Sequence, residues 1–306
     1  MIDFLRRRLD ELTICLFLLL VALVATLHPP VFATRGGQLL TRWAISSAAL
    51  LVVALALAAR FNSRARAALR FTLQWGIIVV AVVGYVSLRL LHAESITAWL
   101  GIPCLDHAMM SADNALFGQT PYLWFNRWGL NGGLFLWIMS YLYALYPMIP
   151  PFLLAWFWFR RQLPHFYLAR RTLIVSYTLG YICYLLFPVS GPLTLVPASA
   201  PNFLESTSVY AFLAGNFRYA YDCFPSLHTA NPWLLVWISR GKLPRWLMAA
   251  AIAAAAGITL STLALQVHYG VDDIAGIAWV FLIAPLARAT MPRQTISEQT
   301  VAKVEL

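Results

Sequence analysis

The stretch WLMAAAIAAAAGITLSTLALQVHYGVDDIAGIAWVFLIAPLARA, residues 246–289, decides the fold. It holds two apolar runs, Trp246–Val267 and Gly270–Ala289. Each is close to the roughly 20 residues that a helix needs to cross the hydrocarbon core of a bilayer. Between them stands His268, with Asp272 four residues later. An ionisable side chain at the edge of a membrane span is costly, so its presence there reads as function. The pattern has a partner upstream. Phe224-Pro225-Ser226-Leu227-His228-Thr229 opens a shorter apolar run, Ser226–Ser239, with Pro225 placed where a helix can begin.

The rest of the chain agrees with a membrane setting. Of 306 residues, 61% are hydrophobic and 11% charged, and the mean hydropathy is +0.71. A soluble domain carries about 25% charged residues. The expected fold is therefore all-α, a polytopic membrane protein of about eight transmembrane helices. Working outward from the quoted stretch, the spans are Leu12–Ala33, Ala44–Ala59, Phe71–Leu91, Gly132–Phe159, Thr172–Pro188, Ser226–Ser239, Trp246–Val267 and Gly270–Ala289. Pro147, Pro150 and Pro151 predict a kink or early end in the fourth. The sixth is short for a complete crossing. Arg6-Arg7-Arg8 before the first apolar run, with Val31-Phe32-Ala33 beyond it, also resembles a signal peptide. The length of the run favours a retained span.

The basic residues set the expected orientation. With the N-terminus inside, the cytoplasmic segments hold Arg6, Arg7, Arg8, Arg60, Arg64, Arg66, Arg70, Arg160, Arg161, Arg170, Arg171, Arg240, Lys242, Arg245, Arg288, Arg293 and Lys303. Only Arg35, Arg42, Arg89, Arg127 and Arg218 fall on the other side. This positive-inside bias puts both histidine motifs on the non-cytoplasmic face. It also accounts for the net charge of +10 without a nucleic-acid partner. Two external segments are long, 92–131 and 189–225. Trp99, Trp124, Phe125 and Trp128 predict interfacial helices in the first. Elsewhere the Trp and Tyr residues read mostly as interfacial belts, and His28, His92 and His165 as interfacial.

The four cysteines, Cys15, Cys104, Cys183 and Cys223, show no zinc-ligand spacing. Cys104 and Cys223 fall in external segments, where they either pair or remain two thiols. Asp106, His107 and Asp113 look superficially like a metal cluster, but their place in a loop favours structural or substrate roles. No metal and no nucleotide cofactor is signalled.

Antiparallel helices can bring His228, His268 and Asp272 together at one end. Asp272 would then accept a hydrogen bond from one ring nitrogen of His268, leaving the other free to attack phosphorus. His228 would protonate the leaving oxygen and later deprotonate the acceptor. Asp273 is the alternative orienter, though its position suits a helix cap.

These residues resemble the type 2 phosphatidic acid phosphatases, whose second motif reads P-S-G-H and third S-R-x5-H-x3-D. The chain has Pro225-Ser226-Leu227-His228, and Ser261-Thr262, five residues, His268, three residues, Asp272. The resemblance implies His268 as nucleophile, Asp272 as its partner and His228 as acid/base. It implies a six-helix catalytic core over 71–291, preceded by two transmembrane helices in 1–70 and followed by a cytoplasmic tail, 292–306. The general first motif, K-x6-R-P, is missing; its nearest counterpart, Phe187-Pro188-Val189-Ser190-Gly191-Pro192-Leu193, has no arginine. Thr262 stands where the third motif has arginine. Together with Asp113-Asn114-Ala115-Leu116-Phe117-Gly118, Pro121 and Trp124, these departures look like the inositol phosphorylceramide synthase branch. Sphingomyelin synthases share the His/His/Asp arrangement. The resemblance covers roughly residues 95–285.

Phosphoryl transfer needs positive stabilisation. Arg218, in the loop before His228, is the first candidate, and Arg89 the second. Ser226, with backbone N–H groups at the start of its helix, could contribute. Ser261 and Tyr269, inside the third motif, complete the substrate-binding set. The expected function is transfer of a phosphate-containing headgroup between a lipid and an alcohol. The alternatives are hydrolysis of a lipid phosphate at the same site, or a non-catalytic lipid-binding or transport protein. A bacterial inner membrane is the expected location.

Overall fold

The computed structural model describes residues 94–195 and 219–291 continuously, with scattered residues between Leu12 and Leu88. The first two predicted spans fall almost wholly, and the third mostly, outside the described residues, as do Arg89, Arg218 and the tail 292–306. Among the described residues the structure is helical, with no strand.

Three short helices occupy the predicted external segment: α1 Glu94–Trp99, α2 Asp106–Phe117 and α3 Tyr122–Arg127. Then come α4 Gly133–Ala144 and α5 Ile149–Phe159, joined by a 3-10 turn at Tyr146–Met148. The turn contains Pro147, which cannot donate to the helical ladder, so the expected kink is present. The bundle continues with α6 Leu163–Leu186, α7 Leu227–Ile238, α8 Arg245–Ala264 and α9 Gly270–Ala289.

Among the described residues, three helical runs are long and apolar enough to cross a membrane: Gly133–Phe159, Arg245–Ala264 and Gly270–Ala289. Leu134, Phe281 and Leu282 point outward and remain exposed on them. Outward apolar side chains are what lipid, rather than water, tolerates.

One span differs from expectation in its bounds. α6 starts at Leu163 rather than Thr172 and takes in Arg170 and Arg171. Both arginines are buried, and both have partners. Arg170 donates to Gln74 Oε1 at 2.5 Å, and Arg171 to the Thr290 carbonyl. A buried charge is tolerated when paired, and the apolar pattern alone could not reveal these partners. α7 has 12 residues, about 18 Å at 1.5 Å per residue, against the roughly 30 Å of a bilayer core. It is too short to span, as its sequence implied, and packs against α6, α8 and α9 in the middle of the bundle.

Polar side chains pin this short helix in place. Ser176 on α6 donates to Asn231 Oδ1 on α7 at 2.6 Å and accepts from Trp279 Nε1 on α9 at 3.0 Å. Gly276 lets α9 approach closely. A Cβ there would sit 2.7 Å from the Ser226 carbonyl oxygen and 3.1 Å from Thr229 Cβ. This contact sets the start of α7, and therefore His228, beside the start of α9.

Candidate active site

α8 ends at Ala264, and the chain turns back through Gln266, whose φ is 58°. The Val267 and His268 amides both donate to the Thr262 carbonyl, which holds the turn closed. His268 is left buried at 1% exposure, just before α9. Asp272 lies in the first turn of α9, and its Oδ2 accepts from the Tyr269 amide at 2.9 Å. That capping bond holds the carboxylate toward the histidine, 3.5 Å from His268 Nδ1. On the other side, His268 Nε2 lies 3.3 Å from His228 Nδ1. His228 is half-buried, one residue into α7, where Ser226 caps the helix by accepting from the Thr229 amide at 3.3 Å. Its ring stacks on Tyr143 at 4.6 Å between centroids and meets Tyr146 at 4.3 Å. The Tyr146 hydroxyl accepts from Asn231 Nδ2 at 3.0 Å and donates to Tyr177 at 3.3 Å. The result is a continuous line of Asp272, His268 and His228, with the second histidine clamped by aromatic rings.

The remaining carboxylates brace this line. Asp113 accepts from the Gly270 and Val271 amides at 3.0 and 2.9 Å, closing the N-terminus of α9. Burial pushes its carboxyl above the ordinary value, while these two donors pull it back. Asp106 accepts from the Ser190 and Gly191 amides at 3.0 and 2.8 Å, and so fixes the turn within residues 187–193. Asp273 accepts from Thr229 Oγ1 at 2.6 Å and Thr262 Oγ1 at 2.9 Å, tying α7, α8 and α9 together. In the described contacts the carboxylate beside His268 Nδ1 is that of Asp272, and Asp273 does more than cap its helix. Thr262 is fully buried in this tie.

Ser226 and Ser261 are both fully buried. The Ser226 hydroxyl is engaged by the Thr229 amide, and the Ser226 amide donates to the Asp272 carbonyl at 3.1 Å. Ser261 Oγ donates to the Ile258 carbonyl at 2.6 Å, along its own helix. Tyr269 packs with Val189 and Cys223, against Met109, Met110 and Phe224. Its phenol is pushed well up by burial and by the nearby Asp106. Arg218 and Arg89 lie outside the described residues. Cys104 and Cys223 are not joined by a disulfide: the first is exposed, the second buried. Of Asp106, His107 and Asp113, the histidine is exposed and both carboxylates bind backbone amides. No Lys or Arg takes part in the contacts described at this end.

A family model described as the PAP2 superfamily matches residues 107–286, well over half of the chain. The chain belongs to the PAP2 superfamily. No curated protein and no solved structure matches it closely enough to count as a relative. PAP2 membership makes a lipid phosphatase or phosphotransferase the expected class of activity, acting on a lipid phosphate from within a membrane. The matched region contains His228, His268 and Asp272, and also Asp113; Asp106 lies one residue outside it. Sequence reasoning missed Tyr143 and Tyr146 as ring partners of His228, because interfacial tyrosines look the same in a sequence. It also missed Cys223, which lies beside His268 although 45 residues precede that position.

Proposed function

We propose that this PAP2 protein is a membrane phosphotransferase that moves a phosphate-containing headgroup between a lipid and an alcohol through a phosphohistidine at His268. The observation that carries this reading is the line Asp272 Oδ2, 3.5 Å, His268 Nδ1, then His268 Nε2, 3.3 Å, His228 Nδ1. Asp272 holds the His268 ring with Nε2 directed at the incoming phosphorus. As the P–O bond to the leaving alkoxide breaks, the N–P bond forms, and His228 supplies the proton to the departing oxygen. The acceptor alcohol then gives its proton to His228 and displaces His268. The rings stand too close for a phosphoryl group to sit between them, so substrate entry separates them.

The departures from the general PAP2 motifs, Thr262 and the arginine-free segment 187–193, support transfer over hydrolysis. In this reading Arg218 and Arg89 supply the positive charge that those motifs lack, Ser226, Ser261 and Tyr269 shape the substrate side, and the site opens on the non-cytoplasmic face of a bacterial inner membrane.

The test is purified protein with a panel of headgroup-labelled lipids, with and without candidate alcohols, beside His268→Ala. Headgroup exchange that depends on the alcohol, and vanishes in His268→Ala, is the expected result. Phosphate release that ignores every alcohol would replace transfer with hydrolysis. Activity persisting in His268→Ala would end the mechanism.

A further inference from the structure

Cys223 has no part in the proposed chemistry, yet it stands inside the site. Its Sγ, a ring nitrogen of His268 and a carboxylate oxygen of Asp272 all lie within 4.8 Å of one another. These side chains are buried at 0%, 1% and 0% exposure. Cys223 Sγ donates to the Val267 carbonyl at 3.3 Å, so the thiol is held against the turn that carries His268. The three residues come from different places: the loop before α7, the α8–α9 turn and the first turn of α9.

We propose that Cys223, His268 and Asp272 form a binding site for a thiophilic divalent cation, Zn2+ being the fitting ion, and that an occupied site is catalytically silent. One thiolate, one imidazole and one carboxylate is a donor set that tetrahedral Zn2+ accepts, with the fourth position left to water. Zinc–nitrogen and zinc–oxygen bonds of about 2.0–2.2 Å put such ligands about 3.3–3.6 Å apart at a tetrahedral angle. His268 Nδ1 and Asp272 Oδ2 already stand at 3.5 Å. The sulfur, within 4.8 Å of both, closes in on them to complete the set. The surroundings favour a cation as well. The carboxylates of Asp106, Asp113 and Asp222 all act electrostatically on Asp272, and Asp222 Oδ1 lies 3.8 Å from Cys223 Sγ. Binding replaces the thiol proton, which leaves to solvent.

The effect on turnover follows from geometry and rests on the proposed role of His268. A cation shared by His268 and Asp272 takes over the interaction that orients the imidazole, and it withdraws electron density from the ring that must attack. The site thus works as a brake: zinc lowers turnover, and chelation restores it.

The experiment separates binding from turnover. Purified protein in detergent is titrated with Cd2+, followed by the ultraviolet thiolate-to-metal charge-transfer band, and Zn2+ stoichiometry is measured by equilibrium dialysis. One tightly bound ion and a band that is lost in Cys223→Ser but kept in Cys104→Ser are expected. Asp272→Asn leaves the thiol in place and should weaken Cd2+ binding about tenfold or more without abolishing the band. In the turnover assay, Zn2+ should inhibit the native protein, with the inhibitory concentration at least about tenfold higher for Cys223→Ser, relative to each protein's own zinc-free rate. A band that survives Cys223→Ser, or that Asp272→Asn leaves at native affinity, would overturn the site. Equal inhibition of native protein and Cys223→Ser would overturn the brake. A protein that binds the ion at Cys223 but turns over no lipid would sink the proposed function and leave the metal site standing.

Discussion

Asp113 offers a sharp test of how the site is built, because two readings of it predict different measurements. The structure makes it the cap of α9, with its two oxygens accepting from Gly270 at 3.0 Å and Val271 at 2.9 Å. A substrate-contacting role was the alternative raised by its sequence position. Asp113→Asn keeps one acceptor and turns an amide NH2 toward the second donor. A buried N–H left without a partner costs about 1–3 kcal/mol. Loss of a negative charge at a helix N-terminus adds about 0.3–1 kcal/mol. Burial raises the Asp113 pKa despite both donors, so its ionised form already carries a desolvation cost. That places the expected loss near the lower end, about 2 kcal/mol. Asp113→Ala loses both acceptors and should lose about twice as much. The assay is thermal unfolding in detergent, followed by tryptophan fluorescence, beside turnover of the lipid substrate. The expected order of melting midpoints is native, Asp113→Asn, Asp113→Ala. Turnover should fall in step, because Asp272 sits two residues beyond Gly270 on the same helical turn. An unshifted midpoint with a raised KM would refute the capping argument and return Asp113 to the substrate.

Other outcomes follow from the same geometry. Asp272→Asn should lower kcat by about 10³–10⁴, as loss of an orienting carboxylate does in a triad, with the amount of protein in the membrane unchanged. Tyr146→Phe keeps the ring on His228 and should lower kcat by less than Tyr146→Ala; equal effects of the two would show that the ring contact does not hold His228. Arg218→Ala should reduce turnover about tenfold or more if Arg218 is the missing phosphate-binding cation, and native turnover would remove it from the site. The Cys104 thiol is raised by burial and by its bond to Asp106. A raised pKa leaves less thiolate at a given pH, so maleimide labelling near pH 8 should be slower than for an open cysteine and faster in Asp106→Asn; the opposite order would refute that bond.

The quoted stretch predicted α9 to the residue, since Gly270–Ala289 is apolar apart from its charged ends and begins at a glycine after a polar break. α7 was legible for a similar reason: Ser226 and Ser239 bound its apolar run, and both prove to be its caps. α6 was not, because its first turns carry Arg170 and Arg171, whose partners Gln74 and Thr290 are remote in the sequence. The same limit governed the site. The four-residue spacing of His268 and Asp272 survives folding, because a helix start preserves local separation. The tyrosines beside His228, and Cys223 beside His268, arrive through helix packing, which no local spacing encodes.

The proposal that Asp272 orients His268 draws on what the neighbouring carboxylates are doing. Five buried carboxylates gather at this end of the bundle: Asp106, Asp113, Asp222, Asp272 and Asp273. Asp106 and Asp113 hold backbone amides. Asp273 holds two threonine hydroxyls, and Asp222 accepts from the Tyr85 hydroxyl at 2.5 Å. In the described contacts these four accept from neutral donors that fix a helix or loop, although His268 also acts electrostatically on Asp273. Asp272 alone among them has an imidazole nitrogen as near neighbour in the described contacts, while its capping bond to Tyr269 keeps it from turning away. Thr262 fits the same logic. It stands where the related motif has an arginine, and here its hydroxyl serves Asp273, not a phosphate. In the proposed reading the balancing positive charge comes from Arg218, ten residues before His228 in the sequence.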